Sequence, residues 1–113
     1  MIRIENRRKY KGDGEYVGRA VARAGIKKGS PLASQFALKG QADDSERRAL
    51  IFRYATWLDE QLGDPDSPQN QELERLCQLY RDSGELTLIC WCAPKPCHAQ
   101  IIRAKILERV GQA

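Results

Sequence analysis

Several kinds of residue are scarce in this 113-residue chain, which has one histidine, one methionine and two tryptophans. No apolar run approaches the roughly 18 residues that suggest a membrane-spanning helix. The first eight residues lack the apolar segment of a signal peptide. We therefore expect a cytoplasmic protein without a membrane partner. The length allows one hydrophobic core, so we expect a single domain over residues 1–113.

Charge and cysteine content narrow the classes of function. Because the cytoplasm keeps thiols reduced, the four cysteines are expected to bind metal, act in catalysis or pack in the core. The net charge is +4, with basic clusters at residues 7–11 and 27–28. Such clusters attract phosphorylated small molecules or nucleic acid. Acidic residues interrupt the basic ones and no nucleic-acid-binding signature is present, so nucleic acid is the weaker alternative.

The order of apolar and turn-forming residues predicts alternating strands and helices. Strands are predicted at residues 2–6, 15–19 and 86–91, the first near a sheet edge. Capping residues and prolines predict helices over residues 44–62, 68–83 and 96–110. Residues 20–41 show no period, and ordered loops of that length are usually functional. The alternation predicts a small layered α/β domain with a largely parallel sheet.

The stretch Glu85–Val110 joins a strand, a tight loop and a helix, and it holds three cysteines and the histidine within nine positions. Such junctions form binding sites at the carboxyl ends of strands. Cys90 and Cys92 are expected on one side of the strand, and Cys97 and His98 in the first helical turn. Unpaired N–H groups there lower a cysteine pKa and bind phosphate. Cys97 is the best candidate nucleophile, with His98 as its partner and Cys92 as the alternative.

Other interpretations of the same cluster remain open. A zinc site would use Cys90, Cys92, Cys97 and His98, but their spacing departs from paired zinc knuckles, so we predict no cofactor and keep zinc as the alternative. The cysteines would otherwise pack the strand end, with His98 bonded locally. The spacing from Cys97 to Arg103 is that of a phosphatase loop. Phosphatase loops need glycines before their helix, which this segment lacks.

Four parts of the sequence together resemble one known family. They are Tyr16-Val17-Gly18-Arg19, Ser30-Pro31-Leu32 with Phe36, Tyr54 with Trp57-Leu58, and Cys90-Trp91-Cys92-Ala93-Pro94-Lys95-Pro96-Cys97-His98. The chain resembles the family catalogued as domain of unknown function 4326, small proteins of bacteria and their phages. The resemblance implies a three-layer, Rossmann-like α/β domain with a short, mostly parallel sheet and about three helices. It implies no established activity.

Two departures from the family pattern bear on catalysis. Family members usually carry Gly-Asn-Pro where this chain has Ala33-Ser34-Gln35, and an acidic residue where it has Gln100. If those positions hold a ligand or transfer a proton, this chain is a degenerate or retuned member. Catalysis is the interpretation that the departures weaken most.

The leading hypothesis is the binding of a nucleotide-like or phosphorylated small molecule near residues 92–98. The candidate ligand-binding residues are Arg19, Ser30, Ser34, Lys95, Cys97 and His98. One alternative is a thiol-dependent enzyme that uses Cys97 or Cys92. Another is a non-enzymatic bacterial or phage interaction protein with a structural Cys/His cluster and a contact at residues 7–11. Whether the chain is an enzyme, and its oligomeric state, stay open.

Overall fold

The computed structural model describes residues 1–36, 43–91, 95 and 97–111. Its elements in chain order are β1 (Ile2–Asn6), β2 (Glu15–Tyr16), a 3-10 turn (Ala22–Ala24), α1 (Asp44–Leu62), α2 (Pro68–Ser83), β3 (Leu86–Cys90) and α3 (Ala99–Arg109). Within these residues a three-stranded parallel sheet packs with three α-helices. The predicted small α/β fold is confirmed, and its layering agrees with a three-layer arrangement.

The sheet brings the ends of all three strands to one edge. Strand order is β1-β3-β2, with both pairings parallel, so β1 lies at an edge as predicted. Strand β2 is shorter than the predicted 15–19. The Val17 N–H still donates to the Ile89 carbonyl, at 3.0 Å, but the Gly18 carbonyl accepts from the Ser30 N–H, at 2.9 Å. The chain leaves the sheet after Val17 because the following loop takes over its hydrogen bonds.

Two helices begin and end at the predicted signals. The Asp43 carboxylate accepts the Glu46 N–H at 2.8 Å and caps α1. The Ser67 hydroxyl accepts the Asn70 N–H at 3.1 Å and caps α2. Gly84 ends α2 with φ of +74°, a left-handed conformation that glycine adopts without a steric penalty.

The start of α3 differs from the prediction. The helix begins at Ala99, so Cys97 and His98 precede it rather than forming its first turn. Their carbonyls accept the first helical N–H groups, with Gln100 donating to Cys97 at 3.1 Å and Ile101 to His98 at 3.0 Å. Cys97 is buried beside the end of β3, and Cys97 and His98 are the last two residues of the connection from β3 to α3. Pro96 lies outside the described residues.

The core lies where the helices cover the sheet. Most of its large, fully buried side chains come from the three helices and the central strand: Tyr54, Leu58, Leu73, Leu76, Cys77, Leu88, Cys90, Ile102 and Ile106. Val17 and Leu32, outside these elements, are fully buried as well. Cys77 is a buried packing residue, as expected, and burial raises the pKa of its thiol. No helix in the described ranges has the length and apolar content needed to cross a membrane.

Candidate functional site

A cavity of about 440 Å³ opens at the carboxyl ends of the strands. Its walls come from the segment that follows β2, from the loop around Ser34 and Phe36, from the first half of α1 and from the turn before α3. The three parallel strands end together there, so side chains far apart in sequence face one space. Most of the wall is apolar, as is usual for small-molecule sites.

The charge of the wall has one sign. Arg19 and Arg47 are its charged side chains among the described residues, and none of those lining it is acidic. Arg47 lies in the first turn of α1, and its Nε and Nη1 atoms are buried with no hydrogen-bond partner in the part of the chain that the structure describes. A buried guanidinium without acceptors is unfavourable, because each N–H has lost its water.

Four tyrosine, phenylalanine and tryptophan side chains line the cavity: Tyr16, Phe36, Tyr54 and Trp91. Trp91 Nε1 donates to the Tyr16 hydroxyl at 2.7 Å, and that hydroxyl donates to the Arg19 carbonyl at 2.6 Å. A Cβ at Gly18 would overlap the Tyr16 hydroxyl, so glycine at this position lets the ring lie against the backbone. The Arg8 guanidinium lies 5.7 Å from the Trp91 ring centroid. These contacts fix the positions of the tyrosine and tryptophan rings.

His98 is held as a neutral imidazole. Its Nε2 lies 2.7 Å from the Val17 carbonyl. Since a carbonyl can only accept, Nε2 carries the proton. Burial lowers the pKa of His98, and the charge of Arg19 lowers it further, against the opposing effect of the hydrogen bond to Val17. At neutral pH the other ring nitrogen, Nδ1, is therefore an acceptor.

The Tyr54 side chain contacts both the loop that carries Leu32 and the ring of His98. Its hydroxyl donates to the buried Leu32 carbonyl at 2.7 Å, and its ring meets the His98 ring edge to face, with centroids 5.2 Å apart. Burial raises the pKa of Tyr54 far above its ordinary value, and the nearby Cys97 adds to the effect. Tyr54 is thus a neutral donor at any physiological pH.

Two of the cysteines meet beside the cavity. Cys90 Sγ and Cys97 Sγ lie 3.3 Å apart, and both side chains are buried. Both cysteines belong to the hydrophobic core, and Cys97 also contributes to the cavity wall, which Cys90 does not. The structure therefore places one sulfur at the cavity and a second directly behind it.

The predicted ligand-binding residues divide into two groups. Arg19, Ser34, Cys97 and His98 line the cavity together. The Ser30 hydroxyl instead accepts the Leu32 N–H at 3.0 Å and lies outside the lining, and Lys95 is exposed. The roles of all six remain predictions.

The catalytic and zinc predictions fall partly on residues without a described position. Cys92 lies outside the described residues. Where positions are known, no group of three or more histidine, cysteine or acidic side chains could hold a metal ion, and His98 Nε2 is engaged by Val17. Among the zinc candidates with described positions, Cys90 and Cys97 lie in contact. Of the basic segment 7–11, residues 7–9 form the turn after β1.

Sequence reasoning missed Arg47, although the sequence carries a signal for it. Arg47 precedes Leu50, Ile51 and Tyr54 by three, four and seven residues, so it lies on the apolar face of α1. A charged residue in an apolar stripe is unusual in a helix that packs against a core. It marks either a buried ion pair or a ligand contact.

The fold and the cavity define a small α/β protein with a basic, aromatic-walled cavity at its strand ends. The chain belongs to the family described as Domain of unknown function (DUF4326), which matches residues 2–108. The resemblance drawn from its sequence blocks is thereby confirmed. No curated protein and no solved structure matches the chain.

Proposed function

We propose that this protein binds a small anionic molecule with a planar ring, such as a nucleotide, in the cavity at the strand ends. The observation that carries the proposal is the buried pair of Arg47 nitrogens, which have no acceptor among the described residues. Buried N–H donors without acceptors favour the binding of a ligand that supplies negatively charged oxygen atoms as acceptors. Pairs of oxygens on phosphate and carboxylate groups match the planar guanidinium fork, which makes arginine a preferred residue for such contacts.

The rest of the cavity fits the remainder of such a ligand. Its volume of about 440 Å³ is within the range of small-molecule sites. Arg19 supplies a second positive charge on the same wall, and the lining described here has no acidic side chain to repel an anion. The aromatic rings of Tyr16, Phe36 and Trp91 offer faces and edges to a base. A wall that holds both positive charge and aromatic surface matches the two parts of a nucleotide.

Amide chemical shifts recorded during a titration test the proposal. The ligands are the four nucleoside monophosphates, ribose 5-phosphate, inorganic phosphate and an uncharged nucleoside. We expect shifts at residues 16–21, 34–36, 47–54 and 97–98, strongest for a nucleoside monophosphate. The uncharged nucleoside and inorganic phosphate, each carrying one half of the ligand, should bind more weakly. If none of these ligands caused shifts at millimolar concentration, the proposal would be excluded.

Two arginines in adjacent positions of α1 provide a matched pair of variants. Arg47→Gln removes the partly buried guanidinium of the cavity wall, and Arg48→Gln removes an exposed one. A hydrogen bond to a charged group contributes about 1.5–3 kcal/mol. Arg47→Gln should therefore weaken binding by about 10- to 150-fold, because a factor of ten corresponds to about 1.4 kcal/mol. Arg48→Gln should bind like the wild type, and equal weakening by both variants would point to nonspecific attraction.

A second candidate function is thiol chemistry on the bound molecule. The observation that favours it is the position of Cys97, whose side chain lines the cavity next to His98. The test is the pH dependence of alkylation by iodoacetamide, followed at each cysteine by mass spectrometry. An activated Cys97 would react well below the ordinary cysteine pKa of about 8.5. Ordinary pH dependence at every cysteine would refute this candidate and leave the binding proposal intact.

A further inference from the structure

We propose that Cys90 and Cys97 form a redox pair that a small hydroperoxide converts to a disulfide. Their sulfur atoms lie 3.3 Å apart, one in the last residue of β3 and the other two residues before α3. A disulfide bond measures about 2.05 Å, so closure requires the sulfurs to approach by about 1.3 Å. Side-chain rotation in a turn of the chain supplies a movement of that size without reordering the sheet.

The positions of the two residues assign different roles to the sulfurs. Cys97 is 4% exposed and forms part of the cavity wall, so a molecule as small as hydrogen peroxide reaches it through the cavity. Cys90 is 1% exposed and lies behind Cys97 in the core. Cys97 is therefore the attacking sulfur and Cys90 the resolving sulfur. Cys77, buried on α2 and outside the cavity lining, has neither role.

The reaction balances with hydrogen peroxide as the only oxidant. The deprotonated Cys97 sulfur attacks one peroxide oxygen, so that an S–O bond forms and the O–O bond breaks. The departing hydroxide takes a proton and leaves as water, and Cys97 becomes a sulfenic acid. The Cys90 sulfur then attacks the Cys97 sulfur, forming the S–S bond and expelling the second oxygen, which leaves as water with the Cys90 proton. Two thiols lose two electrons in total, and one peroxide gains them.

The proposal concerns the thiols themselves and does not depend on which ligand occupies the cavity. Its test is oxidation of the reduced, ligand-free chain with one equivalent of hydrogen peroxide, alkylation of the remaining thiols, and nonreducing peptide mapping. Chymotryptic cleavage after Trp91 separates Cys90 from Cys97, and fragmentation of the linked peptides identifies the bonded residues. We expect a loss of two hydrogen atoms from the mass, one Cys90–Cys97 bond, an alkylated Cys77, and full reversal by dithiothreitol.

Single cysteine variants test which thiols form the disulfide bond. Cys77→Ser should form the bond like the wild type, whereas Cys90→Ser should leave Cys97 to accumulate sulfenic acid. If Cys90→Ser fails to fold, the peptide map of the wild type decides alone. Three results would overturn the proposal: a bond that includes Cys92 in place of either residue, oxidation of Cys97 to sulfinic acid in the wild type without a disulfide, and a native mass that shows a metal ion shielding both thiols.

Discussion

Replacing Arg47 with methionine should stabilise the ligand-free protein. A buried polar group without a hydrogen-bond partner costs about 1–3 kcal/mol, and Arg47 has two such nitrogens, Nε and Nη1. Methionine keeps the apolar stem that packs in the cavity wall and removes the unsatisfied donors. The Arg47 side chain is only partly buried as a whole, so the full penalty for both nitrogens does not apply, and we expect the free energy of unfolding to rise by about 1–2 kcal/mol.

Urea unfolding, followed by tryptophan fluorescence without ligand, measures the effect of this substitution. With a slope of about 1–3 kcal/mol per molar urea, the midpoint should rise by about 0.3–2 M. Arg48→Met is the matched control, because Arg48 is exposed and surface substitutions usually change stability by less than about 0.5 kcal/mol. A fall in the midpoint for Arg47→Met would show that Arg47 is a structural residue with partners of its own. The reasoning about an unfilled anion site would then be wrong.

Three further results are expected. Tyr54→Phe should lower the free energy of unfolding by about 1–3 kcal/mol in urea, because the buried Leu32 carbonyl loses its donor. Gly18→Ala should displace the Tyr16 ring, and ligand affinity should fall while the far-ultraviolet circular dichroism stays that of the wild type. Burial holds the pKa of His98 below its ordinary 6.5, so its contribution to stability is complete above about pH 6.5 and is lost as the pH falls toward the folded-state pKa. In His98→Gln, urea midpoints measured from pH 8 to pH 5 should lack this component of the pH dependence.

Much of the fold could be predicted because its signals are local. The caps at Asp43 and Ser67 and the glycine at Gly84 act through hydrogen bonds and dihedral angles within a few residues. The end of β2 could not be predicted in this way. Gly18 leaves the sheet because its carbonyl bonds to Ser30, twelve residues away, and no local pattern encodes that contact. The predicted start of α3 was wrong for a related reason. Cys97 is buried in the core before the helix begins, and that burial depends on the residues around it rather than on the local sequence.

The site could be predicted in part. The convergence of Arg19 and His98 follows from a general rule, that parallel strands end at one edge of their sheet. The contribution of Arg47 depends on how α1 lies across that edge, which the sequence does not specify. The same holds for the 3.3 Å contact of Cys90 with Cys97, where the sequence shows two nearby thiols but not the turn that brings them together.

A crystal structure of the protein soaked with the nucleoside monophosphate that binds most tightly would test the central claim most directly. The account predicts phosphate oxygens at hydrogen-bond distance, about 2.7–2.9 Å, from Nε and Nη1 of Arg47, with the base against the aromatic wall. A phosphate bound elsewhere, or a base in the cavity with Arg47 still lacking an acceptor, would contradict it.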